Sequence, residues 1–422
     1  MHRLSLAVVL MTGAAQAGAL PERFLNTFEL KPKDGAAELE WVSPSTLHII
    51  RSWEARRGPR SAVTPKAVAV SVAEDGPRYA FESRYLRVVA GDDADRVEIR
   101  TAGGAPVTEL RIRREGERVV VEQPVKTPEH FYGLGARGGA LDLRGTVLAT
   151  RDAFLISSAG YGEYFPNPGE YQFDLAASEP NTARISFAGN RLDVFVHFGP
   201  AIKEIFEEHM SVAGPADNFD ALDLTLRDPK GAPALATWAA LTEGVHALVN
   251  ASLTAKLIPA FDLSRYGGSD ETLTARAAQV ASLIPILYAP AGAPLVQERR
   301  HKLTPYLLSY TREARDRGFP VIRPMVTDFG SDAAVLGRHE QFMLGDELLV
   351  APVLNASGEV KLYFPRGIWT DIDTDQTYKG HQEVTLRVAR DVLPMFAKNG
   401  TIVPLAQEGG PEAAIELHYF PS

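Results

Sequence analysis

Cysteine is absent from all 422 residues, which excludes a disulfide framework and any thiolate zinc site. There is no block of lysines or arginines, and the formal charge of −9 argues against a nucleic-acid partner. No apolar run is long enough to cross a bilayer, so no membrane partner is expected. His197, His246 and His301 are scattered without metal-ligand spacing, so they read as core or surface histidines. No metal and no cofactor is expected.

What is present describes an ordinary globular chain. Apolar residues make up 45% and charged residues 23%, a balance that supports a sizeable core, and the length suggests two or three domains. The start has a basic residue at Arg3, an apolar stretch from Leu4 to Met11 and Ala15-Gln16-Ala17. That order is expected to be a secretory signal peptide over 1–17, cleaved after Ala17, with an ordinary N-terminal helix as the alternative. An exported, cysteine-free chain suits a bacterial periplasm or exterior.

From Phe24 to about Pro128 short alternating strands are expected, among them Thr46–Arg51, Ala67–Val72 and Arg118–Glu122, as in an antiparallel sandwich. FYGLGAR (131–137) and GYGEYFPNPGEYQFD (160–174) interrupt this rhythm and read as aromatic-packed turns. Strands at Ala183–Phe187 and Leu192–Phe198 follow. Pro200 then opens a helix whose apolar positions are Ile202, Ile205, Phe206 and Met210. Residues 214–232 are polar and turn-rich. Beyond them the spacing predicts a helix with Trp238, Leu241, Val245 and Leu248 on one face, a short strand ending at Asp262, and a helix capped by Ser269 or Asp270. A longer helix is expected over Gln297–Arg317, kinked at Pro305 and stopped by Gly318. In HEQFMLGDELLVAPVL (339–354), Gln341–Met343 reads as a short helix before the Gly345-Asp346 break, and Leu348–Val350 as a buried strand. Strands at Val360–Pro365, Glu383–Val388 and Thr401–Leu405 complete a second β-rich region.

Several of these stretches carry a resemblance. QFMLGDELLVAPVL is similar to the block that joins the catalytic barrel to the first C-terminal β-sandwich in glycoside hydrolase family 31, the α-glucosidase and α-xylosidase family. FYGLGAR, GYGEYFPNPGEYQFD and LDVFVHFGPAIKEIF resemble segments of that family's N-terminal sandwich, in the same order. Trp238 to Tyr266 and RRHKLTPYLLSYTREARDRGFPVIRPM resemble the end of its barrel and the helix leading out of it. The resemblance implies a multidomain α+β, β-rich chain: an N-terminal mutarotase-like β-sandwich (18–200), an incomplete (β/α) barrel remnant (201–320) and a C-terminal β-sandwich (321–422).

A retaining glycosidase needs two carboxyl groups about 5–5.5 Å apart, and in this family both are Asp. The nucleophile's W-x-D-M-N-E-like motif occurs nowhere in the chain. The acid/base, counted back from Trp238, falls near Pro233, and the substrate-binding R-x-H falls at Tyr288 and Pro290. Asp262 alone matches, at the Asp of the family's D-I-G-G-F loop. Length agrees with this loss. Between Pro200 and Leu303 lie roughly one hundred residues, enough for three or four βα units and not for eight. Such a remnant exposes a sheet edge, so it must lean on the two sandwiches or pair with another chain.

No catalytic residue is therefore assigned. Asp217, Asp220, Asp223 and Asp228 read as solvated turn residues, and Arg137 and Arg144 as members of buried ion pairs. Asp262, Tyr161, Tyr164 and Tyr266 are the candidates for carbohydrate binding, with Phe165 and Tyr288 as further rings able to stack on a sugar; core packing is the competing role for all the rings. Three functions stay open. The first is an exported family 31-like protein of carbohydrate metabolism that has lost hydrolysis and binds an α-linked oligosaccharide or a partner protein. The second is an active α-glycosidase whose site is remodelled or completed by a second copy. The third is a deletion product without function of its own.

Overall fold

A computed structural model describes residues 20–54, 67–214, 224, 226–228, 235–254, 260–289, 294–407 and 414–421. The expected signal peptide, Asp217, Asp220, Asp223, Pro233 and Pro290 lie outside the described residues. The architecture is β-rich α+β, with two sandwich-like regions flanking a small parallel sheet.

Among the described residues, strands between Glu22 and Phe198 form an eight-stranded and a nine-stranded sheet. Every pairing within them is antiparallel, as in Thr46–Ser52 against Arg191–Phe198 and Arg118–Pro124 against Thr182–Ala188. Inward side chains from both sheets, including Phe28, Trp41, Phe81, Val121, Phe131, Tyr171 and Phe187, make one core. Each side chain of this size contributes about 1.5–3 kcal/mol when fully buried.

Two expectations are corrected here. The segments read as aromatic turns hold strands Phe131–Gly133 and Tyr161–Tyr164, the latter inside its sheet. Their aromatic rings face cores on either side of the sheet, which hides the alternation that a one-sided strand shows. The strand expected at Ala67–Val72 is displaced to Ser71–Asp75, because the Val68 N–H is taken by the Asn26 side chain and not by a neighbouring strand.

Helix α1 (Ile202–Ala213) leaves the sandwich with Ile202, Ile205 and Phe206 buried. Helices α2 (Trp238–Ala251) and α3 (Glu271–Ala281) follow. Thr237 caps α2, and Asp270 caps α3 through the N–H groups of Thr272 and Leu273, as side-chain oxygens do at N-termini. The strand before α3 is Ala260–Asp262. It pairs in parallel with Ile286–Tyr288, which in turn pairs in parallel with Leu226–Arg227. Helix α4 (Pro294–Arg317) contains Pro305 and ends at Gly318, whose φ is +75°.

The second β-rich region has a six-stranded sheet built on Ile322–Pro324, Phe342–Leu344, Leu348–Val350, Met395–Lys398, Ile368–Asp371 and Thr377–Lys379. The expected helix at Gln341–Met343 is wrong. Phe342–Leu344 and Leu348–Val350 form an antiparallel hairpin, fully buried on both strands. Three residues are too few to close helical hydrogen bonds, and Gly345 at φ +62° turns the chain back. A Cβ on Gly345 would run into the Tyr310 ring and the Tyr306 hydroxyl. Gly345→Ala is expected to lower stability by about 1–3 kcal/mol, read from the urea midpoint. Gly337→Ala, with open space around it, is the control expected to change little.

One apolar cluster joins all three regions. It takes Tyr132, Phe154 and Ile156 from the first sandwich, Ile205 and Phe206 from α1, Leu241, Val245, Phe261, Leu273 and Leu287 from the parallel unit, and Phe342, Leu344, Leu348 and Val350 from the hairpin. The small parallel sheet therefore does lean on both neighbours. Arg276 on α3 reinforces this by donating to the carbonyls of Val388, Ala389 and Val392.

Candidate carbohydrate site at the parallel strand ends

In parallel α/β units, functional side chains gather where the strands end. Here Arg227, Tyr288 and Asp262 stand in register at that end, with Tyr288 on the middle strand. Asp262 Oδ1 accepts from the Ser264 N–H at 3.1 Å and the Ser264 hydroxyl at 2.6 Å, capping a short 3-10 turn, Leu263–Tyr266. Its Oδ2 is buried without a hydrogen-bond partner. Asp262 is thus half structural, with one acceptor still to satisfy.

Asp228 follows Arg227 and is exposed. It lies just past the outer strand Leu226–Arg227, two strands across from Asp262.

Tyr266 is brought beside Asp262 by the 3-10 turn, but it is only 4% exposed. Its ring stacks on Phe261 at 5.1 Å, and its hydroxyl reaches the Ala240 carbonyl at 3.4 Å. Burial raises its pKa, so it stays a neutral donor. Tyr161 belongs to the first sandwich, 2% exposed, with its hydroxyl donating to Glu129 Oε1 at 2.9 Å. Tyr164 is half-buried, stacked on Phe195 and edge-on to His209 of α1. Phe165 is buried. Core packing accounts for the contacts of these rings, and Tyr288 is the half-buried ring that shares the strand ends with Asp262.

Arg137 and Arg144 correct another expectation, since both spend their guanidinium donors on carbonyls: Gly133 and Leu134 for Arg137, Lys126, Glu129 and Pro180 for Arg144. Loop carbonyls leave no signature in a charge pattern. The reading of His246 as an isolated histidine also changes, because the fold lays it against His339. That pairing had no local spacing to reveal it.

Residues 318–403 match the sequence model of the glycosyl hydrolase family 31 C-terminal domain. The chain is 37% identical over 109 residues to neutral alpha-glucosidase AB of Mus musculus, covering 25% of this chain and 12% of that protein. It is 33% identical over 108 residues to an alpha-xylosidase of Saccharolobus solfataricus, covering 25% of this chain and 15% of that protein. The whole fold is similar to that of the family 31 dextranase of Flavobacterium johnsoniae, with a TM-score of 0.81 at 14% identity over 94% of this chain and 83% of that one. Its C-terminal segment, residues 318–403, belongs to glycoside hydrolase family 31. Its matches span only a small part of the curated relatives' length, 8–18% for the first three. Against that fold the chain is unusual in its middle: the described residues hold a three-stranded parallel sheet, where a complete barrel has eight strands.

Proposed function

We propose that this chain is a non-hydrolytic family 31 protein of carbohydrate metabolism that binds α-linked oligosaccharides at the ends of its parallel strands. The observation that carries the reading is the isolation of Asp262. It occupies the strand end with an unsatisfied buried oxygen, while Asp228 lies two strands away in solvent and Asp270 is engaged in capping α3. One acceptor fixed by a rigid turn can hold a sugar hydroxyl; it cannot both attack an anomeric carbon and protonate the leaving oxygen. Two solved relatives support the ligand class, the dextranase complexed with isomaltotriose and a cycloalternan-forming enzyme of Listeria monocytogenes complexed with a pentasaccharide. The reading includes export, resting on the basic, apolar and small-residue order of residues 1–17.

The purified chain is expected to show no turnover of 4-nitrophenyl α-glucoside or α-xyloside, and to be retained on immobilised maltodextrin. Asp262→Ala should weaken retention by about tenfold, the discrimination that a buried polar partner supplies when a hydroxyl loses it. Turnover that disappears in Asp262→Asn would overturn the proposal.

A further inference from the structure

His246 sits on α2 and meets the loop that enters strand Phe342–Leu344. There its ring stacks on His339, with centroids 3.5 Å apart and planes 24° from parallel. Glu340 follows directly, with His339 Nε2 at 3.7 Å from its Oε1. One donor atom from each of His246, His339 and Glu340 lies within 4.8 Å of the others.

These imidazoles are short of partners. His246 is 8% exposed, yet neither of its ring nitrogens has a hydrogen-bond partner, and His339 Nδ1 is likewise buried and unpaired. Buried ring nitrogens ordinarily find a donor or acceptor, and each orphan costs about 1–3 kcal/mol of desolvation. His48 shows the ordinary arrangement, lying between Glu40 and Asp193. One nitrogen from each of the two imidazoles, close to one carboxylate oxygen, makes a three-member ligand set.

We propose that His246, His339 and Glu340 form a divalent transition-metal site of the zinc type. Two imidazoles and one carboxylate suit zinc and its first-row neighbours, whereas calcium and magnesium call for all-oxygen shells. In a tetrahedral site with metal–ligand bonds of about 2.0–2.1 Å the ligand atoms stand roughly 3.3 Å apart. Glu340, whose side chain is 58% exposed, is free to make most of that closure, and the fourth position is left to water. The ion would fasten α2, in the truncated parallel unit, to the loop that opens the C-terminal sheet. A sheet of three strands lacks the ring closure that braces a full barrel, and a metal clip between its helix and the next domain supplies a brace. The site is independent of sugar binding at Asp262.

Zinc chloride titrated calorimetrically into the metal-stripped full chain is expected to bind at one equivalent and raise the melting temperature. Cobalt(II) should give the visible absorption of a low-coordinate nitrogen and oxygen site. His339→Asn should abolish both signals. Glu340→Gln, at an exposed position that leaves folding intact, should weaken zinc by about tenfold or more. The proposal is overturned if zinc fails to bind below about 100 µM, an affinity of roughly 5.5 kcal/mol, or if one-equivalent binding persists unchanged in both variants.

Discussion

Arg323→Met is expected to lower the unfolding free energy by about 3–5 kcal/mol, the cost of breaking a buried ion pair from one side. Arg323 is fully buried. Its Nε donates to the Pro320 carbonyl at 2.7 Å, Nη2 pairs with Glu313 at 3.1 Å, and Nη1 pairs with Asp346 and lies 3.7 Å from Asp328. Lys203 of α1 completes the network, 2.6 Å from both Asp328 and Asp346. Five elements meet at this point: α1, α4, the strand Ile322–Pro324, the turn at Gly345-Asp346, and the short helix α5 (Met325–Phe329). Methionine fills the same space but leaves Asp328 and Asp346 to Lys203 alone, with burial already pushing Asp328 up. Lys203→Met, at a partly exposed site, should cost less, and the double variant should lose less than the two single losses combined. Urea unfolding measures all three. An Arg323→Met loss under about 1 kcal/mol would show the network to be as dispensable as a surface pair.

That network also shows what sequence reading reaches and where it stops. Asp346 sits in the family-like block GDELLVAPVL, yet a Gly-Asp pair on its own signals only a turn, and its partners Arg323 and Lys203 come from other segments. The helices were legible because their spacing is local: Leu241, Val245 and Leu248 on α2, and Leu273, Ala277 and Val280 on α3, are buried as that spacing predicts. Sandwich strands with a single covered face were legible for the same reason. Among strands covered on both faces, Leu348–Val350 was legible from its apolar run, whereas Tyr161–Tyr164 and Phe342–Leu344, which carry no alternation, were not. At the candidate site, Asp262 could be placed at a strand end from its sequence context, but the capping role of its Oδ1 and the orphaned Oδ2 are tertiary facts. The meeting of His246 with His339 is another.

The core of the parallel unit explains how so small a sheet persists. Its buried side chains, Phe261, Leu263, Ile284 and Leu287 among them, belong to the same cluster as Phe154 of one sandwich and Leu344 of the other. Parallel strands need cover on both faces, and here neighbouring domains provide it. This makes cooperative unfolding of the three regions the natural expectation, and it is why a change in the first sandwich should be felt by the whole chain.

Such a change is available at Glu163, fully buried on strand Tyr161–Tyr164. Burial pushes its carboxyl up to about 8, and the nearby Glu129 adds to the rise. Gln123 donates to Oε1, while Oε2 has no partner. In the unfolded chain the same group titrates near 4.5. Between these values the folded state keeps a proton that the unfolded state has released, so stability falls as pH rises from about 4.5 to about 8. His197 works from the other side. Burial lowers it to about 3 from 6.5, so the unfolded chain binds the extra proton, and stability falls as pH drops below about 6.5. The two slopes cancel between about 4.5 and 6.5, leaving a plateau with a decline on each side. At about 1.4 kcal/mol per pKa unit, the alkaline decline amounts to roughly 2 kcal/mol between pH 6.5 and 8. Glu163→Gln preserves the acceptor for Gln123 and removes the titration, so its stability should hold level across that interval and exceed wild type above pH 8. Urea midpoints at half-unit pH steps decide it: a wild-type curve that rises from pH 6.5 to 8, or a Glu163→Gln curve that still falls there, would mean the buried carboxyl is not the group responsible.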